Sequence, residues 1–167
     1  GINLAQKLKF VAGHSLGEYA ALTAVNALTI NDCAKLLKLR GQAMQKAVPI
    51  GKGNMAAILG LEFDDVKTIA NDAAQGDVCE IANDNSNGQV VVSGDKEAIE
   101  RAVERATERG AKRAVILPVS APFHCSLMQP AANAMDEALQ QTNMQTPDIP
   151  VVTNVTADAV SDARRLK

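Results

Sequence analysis

Gly13-His14-Ser15-Leu16-Gly17 has the pattern G-x-S-x-G, preceded by the apolar Phe10, Val11 and Ala12 and followed by the helix-forming Glu18 to Leu22. A strand, a cramped turn and a helix are the setting in which a serine hydroxyl is exposed as a nucleophile, and the N–H groups opening the helix can stabilise an oxyanion. Such a serine needs a base. The chain has two histidines, His14 and His124. His14 is peptide-bonded to Ser15, and neighbours on a tight turn usually diverge. His124 stands in a loop just before a helix that Ser126 is expected to cap, and a helix N-terminus disfavours the imidazolium form, which keeps the ring basic. Cys125 is a second candidate nucleophile beside His124, although sequence neighbours seldom adopt that geometry.

Arg40 is the other informative residue. Wound at 100° per residue, the segment from Cys33 to Val48 places Cys33, Leu36, Leu37, Met44 and Ala47 on one side, with Arg40 at the centre of that stripe. An arginine on an apolar stripe has two readings. An internal carboxylate satisfies it, or it faces a cleft and meets an anionic ligand, for which its planar fork suits a carboxylate. With an activated serine, the cleft reading points to an acyl donor that carries a free carboxylate.

The elements that must position these groups follow from periodicity. A strand is expected over Lys9–Ala12, then an alanine-rich helix from Glu18 to Leu28. Thr29 or Asn31 caps a long helix from Cys33 to Val48, stopped by Pro49 and the following glycines. The middle of the chain reads as strand (54–61), helix (62–75), two strands (77–83 and 89–94) parted by the turn-rich Asp84–Gly88, helix (95–110) and strand (111–120). On the first of these helices Phe63, Val66, Ile69, Ala70 and Ala73 share the inner face. On the second it is Ile99, Val103 and Ala106. This βαββαβ order is a ferredoxin-like unit. A helix with Met128, Ala132, Met135 and Leu139 on one stripe follows, then a buried strand over Val151–Thr156 and the first turn of a further helix.

Composition sets the outer bounds. The 167 residues are 47% hydrophobic and 22% charged, with one Tyr, three Phe and no Trp, so the core must be built from aliphatic side chains. A net charge of −2 leaves no footprint for nucleic acid or an anionic membrane. No apolar run approaches the roughly 20 residues of a membrane span, and no signal peptide is visible. Cys33, Cys79 and Cys125 lack CxxC spacing, which argues against a disulfide framework or a metal site and for free thiols in a reducing cytoplasm.

Four segments, GHSLGEYAAL, RGQAM, ANDNSNGQVVVSG and SAPFHCSLM, occur in this order. Together they resemble the malonyl-CoA:acyl carrier protein transacylases of fatty acid synthesis and the related acyltransferase domains of polyketide synthases. The resemblance implies an α/β-hydrolase-like core, partial in this chain, made of 1–53 and 120–167, with the ferredoxin-like subdomain 54–119 inserted. It implies that Ser15 accepts malonyl as an ester and that His124 acts as base and then acid. It further implies that Arg40 holds the malonyl carboxylate and that the malonyl group passes from malonyl-CoA to acyl carrier protein by a ping-pong route without a cofactor. Phe123 resembles the malonyl-selective form of its motif, and Asn83, opening the NDNSNG loop, lines the cleft. Leu16, beside the serine, joins Arg40, Phe123 and Asn83 among the substrate-binding residues.

The chain departs from the family at both ends. The family's N-terminal Gly-Gln-Gly-type loop, which contributes to the oxyanion hole, is not in this sequence, nor is the distal segment that orients the histidine. The expectation is an internal piece of a longer protein. Two other functions compete. A serine hydrolase or thioesterase of α/β-hydrolase type needs an acid between serine and histidine, but Asp84 and Asp95 fall inside the inserted unit and Arg40 is left unexplained. A catalytically inactive fragment that keeps the fold is the third reading.

Overall fold

A computed structural model describes residues 6–167; residues 1–5, the start of the expected core segment 1–53, lie outside the described residues. The chain divides into two compact units, one of Gly1–Gly41 with Asn133–Lys167 and one of Gln42–Ala132.

The first unit opens with a short strand β1 (Val11–Ala12), then α1 (Gly17–Ala24) and the start of α2 (Ile30–Ala47). Its C-terminal part holds the end of α5 (Gln129–Gln141), β6 (Val151–Val152) and β7 (Ala159–Val160). β1 pairs in parallel with β6, Val11 opposite Val151 and Ala12 opposite Val152, and β6 pairs antiparallel with β7. Leu22, Val25, Leu28, Leu36, Met135, Ile149 and Val151 form its core.

Several boundaries differ from those expected. β1 covers only the last half of Lys9–Ala12. α1 stops at Ala24 because Asn26 takes a left-handed φ of 60°, and the N–H groups of Ala27 and Leu28 both turn back to the Leu22 carbonyl, a C-terminal cap that ends the helix. α2 starts earlier than Cys33. Thr29 Oγ1 accepts the Asp32 N–H at 3.0 Å and donates to Asp32 Oδ2 at 2.7 Å, so Thr29 is the cap and Asn31 lies inside the helix. Of Val151–Thr156 only the first two residues are strand, and the last residues contain turns rather than the start of a helix.

The second unit contains β2 (Gly53–Leu59), α3 (Phe63–Ala74), β3 (Cys79–Ser86), β4 (Gln89–Asp95), α4 (Lys96–Glu108) and β5 (Arg113–Ile116). The element order is therefore β-α-β-β-α-β, and the sheet order is β3-β4-β2-β5 with all neighbours antiparallel. Alternate residues Ala56 and Ile58 of β2 and Val90 and Val92 of β4 meet Val66, Ile69, Ala70 and Ala73 of α3 and Ala98, Ile99, Ala102 and Ala106 of α4 in one core. Fully buried alanines let the two helices approach closely, which is how a chain so poor in aromatics fills its interior. Phe63, expected on the inner face of α3, is 38% exposed at the helix start, and Val103 of α4 is only partly buried. Arg101 on α4 donates to the carbonyls of Ala73 and Ala74 and to Asp77, closing the C-terminus of α3.

Met44, Val48, Ala121, Met128 and Ala131 form a second cluster in this unit, with Phe123 against it. Ala131, not the expected Ala132, is buried, one α-helical turn before the buried Met135. Among the described residues no helix is long and apolar enough to cross a membrane.

Candidate active site

Ser15 sits between β1 and α1 at φ 51°, in the left-handed region that costs a serine about 1–3 kcal/mol and persists only where its surroundings impose it. Three tight backbone bonds shape the turn, from Gly17 N to His14 O (2.9 Å), Glu18 N to Ser15 O (3.1 Å) and Tyr19 N to Leu16 O (3.2 Å). Gly13 is required for a steric reason, since a Cβ there would run into the backbone carbonyl of Gly17. The turn's own donors begin at Gly17, so the Leu16 N–H stands ahead of them, beside the serine. Leu16 is 54% exposed and His14 is exposed.

Arg40 reaches this turn from α2. Its guanidinium donates to Ser15 Oγ at 3.0 Å, while Arg40 itself is half-buried. Among the described residues no carboxylate forms a salt bridge with it. Burial pushes the phenol of Tyr19 above its ordinary pKa, and the positive charge of Arg40 opposes that rise. The arrangement is a hydroxyl and a cation side by side, with a backbone donor at the start of a helix.

Asn154, which falls within the strand expected over Val151–Thr156, also touches the turn. Its Oδ1 accepts the Ser15 N–H at 2.8 Å and its Nδ2 donates to Gly13 O at 2.7 Å, while Glu18 Oε2 accepts from both the backbone N–H and the Nδ2 of Asn154. No local pattern announces a contact spanning 139 residues.

Residues 6–167 match the acyl transferase domain family. This chain belongs to that family. It is 46% identical over 159 residues to the malonyl CoA-acyl carrier protein transacylase of Escherichia coli (strain K12), covering 92% of this chain and 52% of that protein. The crystal structure of an acyl-carrier-protein S-malonyltransferase from Bartonella henselae superposes with a TM-score of 0.96 at 54% identity, covering 99% of this chain and 53% of that one. A malonyl-transacylase solved in complex with a type II polyketide synthase acyl carrier protein matches with a TM-score of 0.92 at 42% identity, over 95% of this chain and 51% of that one. The chain spans about half the length of the curated relatives it matches.

The remaining candidates of this acyl transferase domain lie in the second unit. His124 also has a left-handed φ, 60°, and is exposed. Cys125, in extended conformation, rather than the expected Ser126, occupies the capping position of the 3-10 turn. Ser126 is held from another direction: Glu80 on β3 accepts its N–H at 2.8 Å and its hydroxyl at 2.6 Å, which pins the loop two residues beyond His124. The Cys125 thiol donates to Pro122 O at 3.2 Å, and burial raises its pKa, which disfavours the thiolate a nucleophile needs. Phe123 is half-buried beside Met128 and Ala131. Asn83 does not open a loop. It lies within β3, opposite Val91, just after a register shift, because β3 continues to Ser86 and leaves only Asn87 and Gly88 to turn the hairpin.

Proposed function

We propose that the protein carrying this domain transfers a malonyl group from malonyl-CoA to the phosphopantetheine thiol of acyl carrier protein, through an ester on Ser15. The observation that carries this reading is the Arg40 guanidinium at 3.0 Å from Ser15 Oγ with no carboxylate salt bridge among the described residues. A cation placed there suits the free carboxylate of a malonyl group whose carbonyl is at the serine.

In the first half-reaction Ser15 Oγ attacks the thioester carbonyl and gives its proton to His124. The Leu16 N–H supports the oxyanion. The carbon–sulfur bond breaks, and the CoA thiolate leaves with the proton from His124. In the second half-reaction the carrier's thiol loses its proton to His124 and attacks the seryl ester. The ester bond breaks, and Ser15 recovers its proton. His124 thus serves as base and acid in turn. Phe123 and Asn83 line the acyl site in this reading, and Phe123 favours malonyl over branched groups. The names of the relatives, and the relative solved with an acyl carrier protein, support the choice of donor and acceptor.

The same reading takes 1–53 and 120–167 as parts of an α/β-hydrolase-like catalytic core and 54–119 as a ferredoxin-like insertion. The parallel pairing of β1 with β6 and the βαββαβ order of the second unit support it. Three free cysteines suit a cytoplasmic setting.

Incubation with labelled malonyl-CoA, with and without carrier protein, tests the proposal. Label is expected to move to the carrier's thiol. Release as free malonate would favour a hydrolase instead, and failure to take up any label would favour an inactive domain.

A further inference from the structure

The contacts of Asn154 have a pattern of their own. β1 and β6 run parallel through two rungs, and beyond Ala12 the backbone leaves the strand for the turn. In a parallel ladder, the N–H and C=O of one residue bond to the residues on either side of its partner. The side-chain amide of Asn154 does the same on either side of His14: Nδ2 donates to Gly13 O at 2.7 Å, and Oδ1 accepts Ser15 N–H at 2.8 Å. A side chain therefore supplies a rung where the strands have already parted.

The amide is itself fixed. Glu18 Oε2 accepts from the Asn154 backbone N–H at 3.2 Å and from Nδ2. Glu18 lies in the first turn of α1, where a carboxylate is favoured by the helix N-terminus. Nδ2 thus faces two acceptors and Oδ1 one donor, so only one orientation of the amide satisfies all three partners. The bond to Ser15 N–H falls on the residue whose φ of 51° must be imposed from outside.

We propose that Asn154 is a positioning residue for the nucleophile: its side-chain amide, held by Glu18, replaces the missing rung of the β1–β6 ladder and keeps Ser15 in its strained, reactive conformation. The inference rests on the reading of Ser15 as the acyl acceptor. It predicts a loss in the chemical step rather than in substrate binding.

The test compares Asn154→Asp, Asn154→Ala and Glu18→Gln with wild type in two assays. One is the rate at which a fluorophosphonate probe labels Ser15; the other is steady-state malonyl transfer. Asn154→Asp keeps the shape but puts an oxygen against the Gly13 carbonyl and the Glu18 carboxylate. Labelling and kcat are expected to fall by roughly 10- to 100-fold in both Asn154 variants, as for a slightly misplaced reacting group. KM for malonyl-CoA should stay within about twofold. Glu18→Gln, which leaves the amide in place but weakens its hold, should fall between them and wild type. Val151→Ala, which removes a buried side chain from the same strand, is the control and should label at the wild-type rate once folded. Wild-type labelling rates in Asn154→Asp would overturn the inference, as would an equal loss in Val151→Ala. Failure of the wild type to take malonyl from malonyl-CoA would count against the malonyl reading alone, because the fluorophosphonate comparison reports on the serine without it.

Discussion

The guanidinium of Arg40 and the hydroxyl of Ser15 are 3.0 Å apart, although α2 and the β1–α1 turn bring them from positions 25 residues apart in sequence. The amphipathic stripe of α2 explains why an arginine there is not simply solvated: it is half-buried on the helix face that carries Leu36 and Met44. Under the proposed function, a cation so placed favours an acyl group that brings its own negative charge.

Arg40→Ala should therefore lower kcat/KM for malonyl-CoA by roughly 30-fold or more, corresponding to about 2 kcal/mol for a charged hydrogen bond, while acetyl transfer changes little. Arg40→Lys should recover only part of the loss, since an ammonium cannot present a planar fork to a carboxylate. Parallel assays with malonyl-CoA and acetyl-CoA check this, and equal losses for both substrates would remove the carboxylate role.

His124→Ala should slow acylation of Ser15 by about 100-fold or more, the usual contribution of a general base. Because the side chain is exposed, the melting temperature should hardly move. Rapid-quench labelling of His14→Ala alongside it separates the two histidines: near-normal acylation is expected for His14→Ala, whereas retained acylation in His124→Ala would return attention to His14.

Glu80→Ala should loosen the loop that follows His124, since it removes both bonds to Ser126. The expected signature is a stability loss of about 1 kcal/mol, typical of a lost cap, with a fall in kcat that exceeds the change in KM. Denaturant melts and steady-state kinetics on Glu80→Ala and Ser126→Ala together measure it. Unchanged kinetics in both variants would confine Glu80 to a structural part.

Burial pushes the Cys79 thiol up from its ordinary 9.0 to about 11. The sign follows from linkage. The unfolded chain loses this proton at lower pH than the folded one, so the contribution is complete below about pH 9 and is lost as pH rises towards 11. Unfolding free energy should decline across that window, and Cys79→Ala should remove part of the decline. A pH series of denaturant melts for both proteins gives the comparison.

What could be read in the sequence was whatever is local. The Gly13–Gly17 turn is set by its glycines and by the strand and helix beside it, and the Arg40 stripe by helical periodicity. Long-range bonds leave no such trace. Asn154 reads as part of a strand because its role depends on β1 lying next to β6, and Glu80 likewise reads only as part of a strand. The polar run from Asp84 to Ser86 resembles a turn, yet it stays in the sheet because β3 is an edge strand whose bulges let polar side chains face water. Ala131 and Ala132 stand four and three residues before Met135, both of them helical spacings, so periodicity alone does not choose between them.

The central claim is that Ser15 carries the malonyl group between donor and acceptor. Its most direct test is to mix the protein with malonyl-CoA, quench, and map the modified peptide by mass spectrometry before and after adding carrier protein. The account predicts a malonyl ester on Ser15 that disappears when the carrier is added, as malonyl appears on the carrier's phosphopantetheine thiol. Malonyl transfer to the carrier by a Ser15→Ala protein, or a malonyl adduct on any other residue that turns over at the rate of transfer, would contradict it.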